Sequence, residues 1–344
     1  MPKVSVLDLS PVSAGSSEGQ ALRDTIEFAR RADRLGYHRF WLAEHHGGAM
    51  VASSSPELMI GQVAAATERI RVGSGGVMLP NHSPLRVAEQ FKALSALFPD
   101  RIDLGIGRAP GTDQMTAMAL RRSREAMRAE DFPEQLGELL AFAGTRPWPE
   151  NHPFSHVKAA PFEAPLPPIT LLGSSDYSAQ LAAAAGLGFA FAAHISPEFA
   201  TDALRMYREK FTPSELLDEP ISILATAVIV ADTDDRAYEL AAPSRVAFRR
   251  LRSGAPTPLP TVEDALAEEG PIPEGGPKPN PRMVIGAPST VRDRLDQMLS
   301  DTGADELMAM TNVHSFDDRA RSQELLAEAF HLEPAGRVSG QLIS

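Results

Sequence analysis

The sequence contains no cysteine, which excludes disulfide bonds, thiolate metal ligands and cysteine nucleophiles. It also lacks a membrane-length apolar run: the longest, "LATAVIVA" (224–231), includes Thr226, whereas a spanning helix needs about 20 residues. Basic residues are in the minority, with 33 Lys and Arg against 45 Asp and Glu, and the resulting negative field repels phosphate backbones. We therefore expect neither a membrane nor a nucleic acid as a partner. The N-terminal "MPKVSVLDLS" reaches Asp8 after a short apolar run, so we expect no secretory signal and a cytoplasmic location.

Short β-rich runs alternate with longer amphipathic runs along all 344 residues, and this rhythm predicts the fold. Parallel strands need crossover connections, so strands that alternate with helices favour a parallel sheet. Eight such units predict a single α/β domain over residues 1–344, a (β/α)8 TIM barrel, with an open doubly wound sheet as the alternative. The predicted strands are residues 4–10, 39–43, 70–79, 101–107, 168–173, 188–193, 221–231 and 305–313.

Two segments interrupt the rhythm. Residues 145–168 are rich in proline and have no helical period, which predicts an insertion loop before strand five. Residues 253–281 are richer still in Pro, Gly and Glu, and they are too long for a plain connection before strand eight. The second segment is either a disordered loop or a mobile lid over the barrel mouth.

The second strand ends in "FWLAEHHGG", where Glu44, His45 and His46 follow apolar residues. In a (β/α)8 barrel the working residues lie at such carboxyl ends. A metal site, an acid/base site and the polar start of a loop are all compatible with these side chains. Because neighbouring residues of a strand point to opposite faces, the two histidines do not easily bind one ion, and we expect no metal. We expect His45 to act in acid/base chemistry and His46 to pack or to cap the loop.

Three other strand ends carry features of a ligand site. "LLGSSDYSAQ" places Gly173 and two serines before a helix whose first amides could bind a phosphate, although a Ser or Asp helix cap without a ligand fits equally well. Arg108 follows strand four and could clamp a phosphate, or form a surface ion pair. The glycines in "GSGGVML" weaken a strand, and a flat ring lying against Gly75 and Gly76 would explain the missing side chains.

Taken together, these motifs resemble the bacterial luciferase-like, flavin-dependent monooxygenases. The resemblance covers most of the chain and is most specific in the block that joins the third and fourth strands. It looks closest to the uncharacterised single-chain members of that family. The matching stretches are "LDLSPVSAG" (7–15), "WLAEHH" (41–46), "RIRVGSGGVMLPNHSPLRVAEQFKALSALFPDRIDLGIGRAPGTD" (69–113), "LLGSSDYSAQLAAAAGLGFAFAAH" (171–194) and "VIGAPSTV" (284–291).

The resemblance implies a barrel that binds FMN at the carboxyl-terminal mouth. It implies that FMN is reduced by a separate flavin reductase or by NAD(P)H, and that reduced FMN then reacts with O2 to oxygenate a small organic substrate. A cis peptide is expected between Gly75 and Gly76. The residues expected to be catalytic are His45, Glu44 and His194. The residues expected to bind the cofactor are Ser10, Gly75, Gly76, Arg108, Gly173, Ser174, Tyr177 and Ser178.

The sequence departs from the light-emitting members at three positions near the flavin. Gly173 replaces a glutamate, Gly107 replaces a reactive cysteine, and His194 replaces a bulky aromatic residue. These changes argue against luminescence and suggest a smaller or more polar substrate pocket. Two alternatives stay open: hydride transfer with the deazaflavin F420 on the same fold, and a flavin-binding protein without catalysis. The resemblance also implies a homodimer formed through early helices, and the apolar "PELMIGQVAAA" (56–66) suits such an interface.

Overall fold

Eight parallel strands close into a barrel, as the alternation predicted, and the open-sheet alternative is wrong. The structure is a computed structural model, and it describes residues 2–123, 130–270 and 280–334. The strands within those ranges are β1 (Lys3–Asp8), β2 (Arg39–Leu42), β3 (Arg71–Ser74), β4 (Val77–Met78), β5 (Ile102–Gly107), β6 (Ile169–Gly173), β7 (Gly188–Ala192), β8 (Ser222–Val230), β9 (Met283–Gly286) and β10 (Glu306–Met310).

The ring closes where β10 pairs with both β8 and β1. Its order is β1, β2, β3, β5, β6, β7, β8 and β10, with every pair parallel. β4 follows the cis peptide between Gly75 and Gly76 and pairs with β5, so the third predicted strand is broken in two. β9 pairs with the distal half of β8, from Ala227 to Val230. The sequence prediction missed β9 because a four-residue run is too short to reveal a period.

Helices connect the strands, and their ends follow the expected chemistry. Ser17 caps α1 through its hydroxyl, which accepts from the Gln20 amide, and Gly36 ends that helix in the left-handed conformation with φ 87°. The helices in the described ranges are α1 (Glu18–Leu35), α2 (Pro56–Ala66), α3 (Pro84–Leu97), α4 (Gln114–Arg121), α5 (Phe132–Phe142), α6 (Asp176–Ala185), α7 (Ala200–Lys210), α8 (Asp234–Arg252), α9 (Val262–Glu269), α10 (Pro288–Thr302) and α11 (Phe316–Ala329). None of these described helices is long and apolar enough to cross a bilayer.

The barrel interior is filled with side chains, so it is a packed core and not a pore. Apolar residues at alternate strand positions form its middle, while a larger apolar layer lies between the strands and the helices. The interior cluster comprises Leu7, Trp41, Ala43, Ala190, Ile223, Ala225 and Met308, with Leu9, Leu172 and Met310 packed against it and partly exposed.

The amino-terminal end of the barrel holds a network of buried ion pairs. Arg39 contacts the carboxylates of both Asp103 and Glu306 at 2.9 Å. Arg71 contacts Asp103 at 2.6 Å, and the Ser5 hydroxyl donates to Glu306. Asp103 and Glu306 are each 1% exposed, so their charges are compensated inside the protein and not by water.

The two predicted insertions differ in structure. Residues 145–168, all described, form no helix or strand, as expected for an insertion loop. The segment 253–281 contains helix α9, and Leu259 exchanges two backbone hydrogen bonds of 2.8 Å with Val12 and Ala14 in the loop after β1. Its residues 271–279 lie outside the described ranges. The described part of this segment therefore contacts the loop after β1, and whether the segment acts as a mobile lid stays a prediction.

Candidate active site

The carboxylate of Glu44, at the end of β2, accepts three hydrogen bonds. Its Oε1 contacts Nε2 of both His46, at 2.8 Å, and His82, at 2.9 Å, and its Oε2 accepts from the Met78 backbone amide at 2.8 Å. Burial opposes ionisation of Glu44, yet the bonds from His82, His46 and Met78 hold its pKa below the ordinary value. Glu44 is 1% exposed and thus cannot contact a substrate directly; it positions its neighbours.

His45 makes none of these contacts, and it follows β2 by three positions. Trp41 and Ala43 fill the barrel interior, and His45 continues their alternation at the mouth. Its backbone amide donates to the Ser53 carbonyl at 2.8 Å, but its buried Nδ1 has no hydrogen-bond partner among the described residues. Burial lowers the pKa of His45, and the Glu44 charge opposes this only in part. The two adjacent histidines therefore have separate environments, as strand alternation predicted.

His194 follows β7 at the same end of the barrel. Its Nδ1 lies 3.3 Å from the Ala225 carbonyl oxygen, which fixes Nδ1 as the donor. Burial lowers the pKa of His194 to about 4, and the nearby His45 contributes to that shift. Two imidazoles that are neutral at pH 7 therefore lie close enough at the mouth to influence each other.

Gly75 and Gly76 are joined by a cis peptide, which confirms the expectation from the family resemblance. Their missing side chains, however, have a different cause from the one predicted. A Cβ at Gly75 would lie 2.6 Å from Leu7 Cδ1, and one at Gly76 would lie 2.7 Å from the Gly105 carbonyl oxygen. Close packing against the Gly105 backbone therefore requires glycine at Gly76 without any ligand ring, whereas at Gly75 the contact is with the end of the Leu7 side chain, which can move. Contact of a ring with their backbone stays a prediction.

Arg108 and Tyr177 come together although 69 positions separate them in the sequence. The guanidinium carbon of Arg108 lies 4.3 Å from the Tyr177 ring centroid, and both side chains are exposed. Tyr177 lies in the first turn of α6, where Ser175 occupies the cap position but makes no side-chain capping bond. The alternative prediction, in which a serine hydroxyl caps this helix and no ligand binds, is therefore not supported at Ser175.

The rest of the predicted phosphate loop is tightly packed. A Cβ at Gly173 would lie 2.4 Å from Ser178 Cβ, so only glycine fits between β6 and α6. Ser178 is 7% exposed, which leaves it little surface for a ligand, whereas Ser174 is half-buried and reachable. Arg108 and Tyr177 therefore form an exposed pair at the start of α6, where Ser174 precedes the helix and its first amides suit an anion.

Ser10 is a correction to the predicted cofactor contacts. It is 0% exposed, its hydroxyl accepts from Thr25 at 2.9 Å, and its backbone amide donates to Asp8. Asp8 in turn pairs with Arg319 from α11, which is 3% exposed. The Ser10 hydroxyl therefore belongs to a buried polar cluster and cannot reach a cofactor in this conformation.

The sequence interpretation also missed His82, which lies in "LPNHSP" beyond the end of β4. Its hydrogen bond to Glu44 joins residues 38 positions apart, and a contact over that distance cannot be predicted from sequence spacing. The only indication in the sequence was that this histidine directly precedes the Ser-Pro pair that starts a helix, and so follows the third predicted strand.

Comparison with known proteins places these features in a family. The family model described as luciferase-like monooxygenase matches residues 2–306. A protein of Escherichia coli K12 named luciferase-like monooxygenase is 43% identical over 319 residues, covering 92% of this chain and 93% of its own. The N-acetyl-S-alkylcysteine monooxygenase of Bacillus subtilis is 40% identical over 239 residues, covering 69% of this chain and 70% of its own.

Solved structures agree with the barrel. The crystal structure of apo-MsnO8 superposes with a TM-score of 0.89 at 42% identity, covering 97% of this chain and all of that one. Two more distant structures share the fold alone. They are the FMN complex of the oxygenating constituent of 3,6-diketocamphane monooxygenase from Pseudomonas putida, with TM-score 0.70 and 20% identity, and an F420-dependent tetrahydromethanopterin reductase from Methanopyrus kandleri, with TM-score 0.66 and 14% identity.

Proposed function

The chain belongs to the luciferase-like monooxygenase family, and we propose that it is an FMN-dependent monooxygenase that uses reduced flavin and O2 on a small organic substrate. The observation that carries this proposal is the exposed contact of Arg108 with Tyr177 at the start of α6; these residues and His45 all follow strands at the carboxyl-terminal end of the barrel. Relatives of 40% identity or more are named monooxygenases, which favours oxygenation over the hydride transfer of an F420-dependent reductase.

The residues present fit a phosphorylated flavin. Arg108 and the uncapped start of α6 would hold the phosphate, and Ser174 would donate to it. The backbone at Gly75–Gly76 would border the ring. When bound and reduced, the flavin supplies the electrons that activate O2.

The protein side chains at the site would accept or donate protons and would exclude water. The buried Nδ1 of neutral His45 has no partner among the described residues, so a ligand that reaches it would complete its hydrogen bonding. Neutral His194 adds a second imidazole without adding charge to the site. Glu44 carries the local negative charge, but its bonds to His82, His46 and Met78 hold it away from the ligand. The predicted lid, docked at Leu259, would exclude water from the reaction.

The proposal also covers the kind of substrate, the source of reduced flavin and the oligomeric state. Leu9, Leu172 and Met310 line the upper barrel interior with partly exposed apolar surface, which suits a small molecule with an apolar part. The reduced FMN would come from a flavin reductase or from reduction by NAD(P)H. We also propose a homodimer and a cytoplasmic location. N-acetyl-S-alkylcysteines belong in a substrate panel because one relative carries that name.

A titration with FMN and, separately, with F420 tests the cofactor. We expect FMN to bind with micromolar affinity and F420 at least tenfold more weakly. The FMN-loaded protein, reduced chemically and mixed with O2 and a substrate panel, should yield an oxygenated product. Failure to bind FMN at high micromolar concentration would refute the proposal, whereas preferential F420 binding would support hydride transfer. FMN binding without any product across the panel, and without any effect of His45→Ala on the reoxidation rate, would support a non-catalytic flavin protein.

A further inference from the structure

The His82 ring is connected to the candidate site through its hydrogen bond to Glu44. A buried ionised carboxylate only accepts hydrogen bonds, so the Nε2 atoms of His82 and His46 both donate to its Oε1. The His82 side chain is 29% exposed, against 1% for Glu44 and 15% for His46. Of the three donors on this carboxylate, His82 is therefore the one that exchanges protons with solvent most readily.

The Glu44 carboxylate joins segments that border the proposed flavin site. Through the Met78 amide it holds β4, which directly follows Gly75–Gly76. Met78 fills the space beside Gly107, where an added Cβ would lie 2.8 Å from its sulfur. Gly107 precedes Arg108 at the end of β5. Movement of the carboxylate would therefore shift both the predicted ring border and the predicted phosphate contact.

We propose that His82 is a positioning residue whose protonated ring holds the Glu44 carboxylate on the Met78 amide, so that loss of the His82 proton loosens the flavin site. This inference rests on the proposed function, because it assigns β4 and Arg108 to the flavin. It does not require His82 to touch the flavin or the substrate.

The surrounding charges favour the protonated ring. Burial alone would lower the pKa of His82, but the hydrogen bond and charge of Glu44, with the charge of Glu57 on α2, raise it above the ordinary value near 6.5. His46 is the other titratable group on the same oxygen. Because the folded-state pKa is raised, the charge pair is fully present below about pH 6.5 and is lost as the pH rises through the raised pKa.

The first test uses the flavin-free protein. NMR titration of the histidine Cε1–H resonances, assigned with His82→Gln, should place the His82 midpoint above about 6.5. Glu44→Gln should move that midpoint down by at least one pH unit, because it removes the partner charge. A midpoint at or below 6.5, or one that Glu44→Gln leaves unchanged, would contradict the inference whether or not the protein binds flavin.

The second test measures FMN affinity against pH. Wild type should lose about tenfold in affinity as the pH rises through the His82 midpoint, as expected for weakening one charged hydrogen bond. His82→Gln keeps a donor but cannot titrate, so its affinity should not change over that range. His156→Gln, at an exposed histidine of the 145–168 loop, should reproduce the wild-type curve.

Parallel curves for wild type and His82→Gln would overturn the inference, whereas absence of FMN binding in every variant would overturn the proposed function and leave the NMR result intact. His82→Asn provides a second uncharged variant if His82→Gln does not fold.

Discussion

The two ends of the barrel differ in how their charged and ring groups are paired. At the amino-terminal end, Arg39, Arg71, Asp103 and Glu306 satisfy one another in a buried network. At the carboxyl-terminal end, the His45 Nδ1 has no partner among the described residues, and the described structure gives Arg108 no carboxylate. An unpaired polar group is available to a ligand, whereas a paired one is not. Unpaired groups at the carboxyl-terminal end are what is expected of a (β/α)8 barrel whose active site lies at that end.

The largest expected effect comes from breaking the amino-terminal network. Asp103→Ala leaves the charges of Arg39 and Arg71 without their shared partner in the interior. We expect the free energy of unfolding to fall by about 3–5 kcal/mol. Chemical denaturation monitored by circular dichroism measures it. FMN affinity of the folded fraction should stay within about twofold of wild type, and a larger loss would show that the two ends are not independent.

The next effect lies at the mouth and concerns turnover. His45→Ala removes the free imidazole and should slow oxygenation by about 100-fold or more, the usual contribution of a general acid or base. Steady-state and single-turnover rates with reduced FMN measure this change. The free energy of unfolding should change by less than about 1 kcal/mol, since the buried Nδ1 has no hydrogen-bond partner among the described residues to lose. Unchanged turnover would remove His45 from the mechanism.

A smaller effect is the pH dependence that His194 imposes on stability. Its pKa is lowered to about 4 in the folded protein, so between about pH 6.5 and 4 the unfolded chain takes up a proton that the folded chain does not. Stability should therefore fall as the pH drops through this window, by about 2 kcal/mol at pH 5 relative to pH 7. His194→Gln should lose this part of the dependence in denaturation series at the two pH values. An identical slope in both proteins would mean that His194 is protonated at pH 5.

The sequence alone predicted the barrel because eight buried runs alternate with helical ones, a pattern that local periodicity reveals. It missed β9, which is stabilised by pairing with the far half of β8 and not by any period of its own. For the same reason it described the third strand as continuous across Gly75–Gly76, where the ladder is interrupted.

Residues of the candidate site could be predicted from the sequence only where they directly follow a strand. Glu44, His45, Arg108 and His194 all follow strands, and alternation separated His45 from His46 correctly. The hydrogen bond between Glu44 and His82 could not be deduced, because His82 lies in a loop 38 positions further along the chain. Ser10 also follows a strand, but Thr25 engages its hydroxyl and so removes it from the mouth.

The most direct test of the account is the affinity for FMN and for riboflavin, in wild type and in Arg108→Met. If Arg108 and the start of α6 bind the phosphate, wild type should bind FMN at least tenfold more tightly than riboflavin. Arg108→Met should lose most of that preference while keeping its riboflavin affinity, and Arg30→Met, at an exposed arginine on α1, should behave as wild type. Equal affinity of wild type for FMN and riboflavin would contradict the assignment of the unpaired carboxyl-terminal groups to a flavin phosphate.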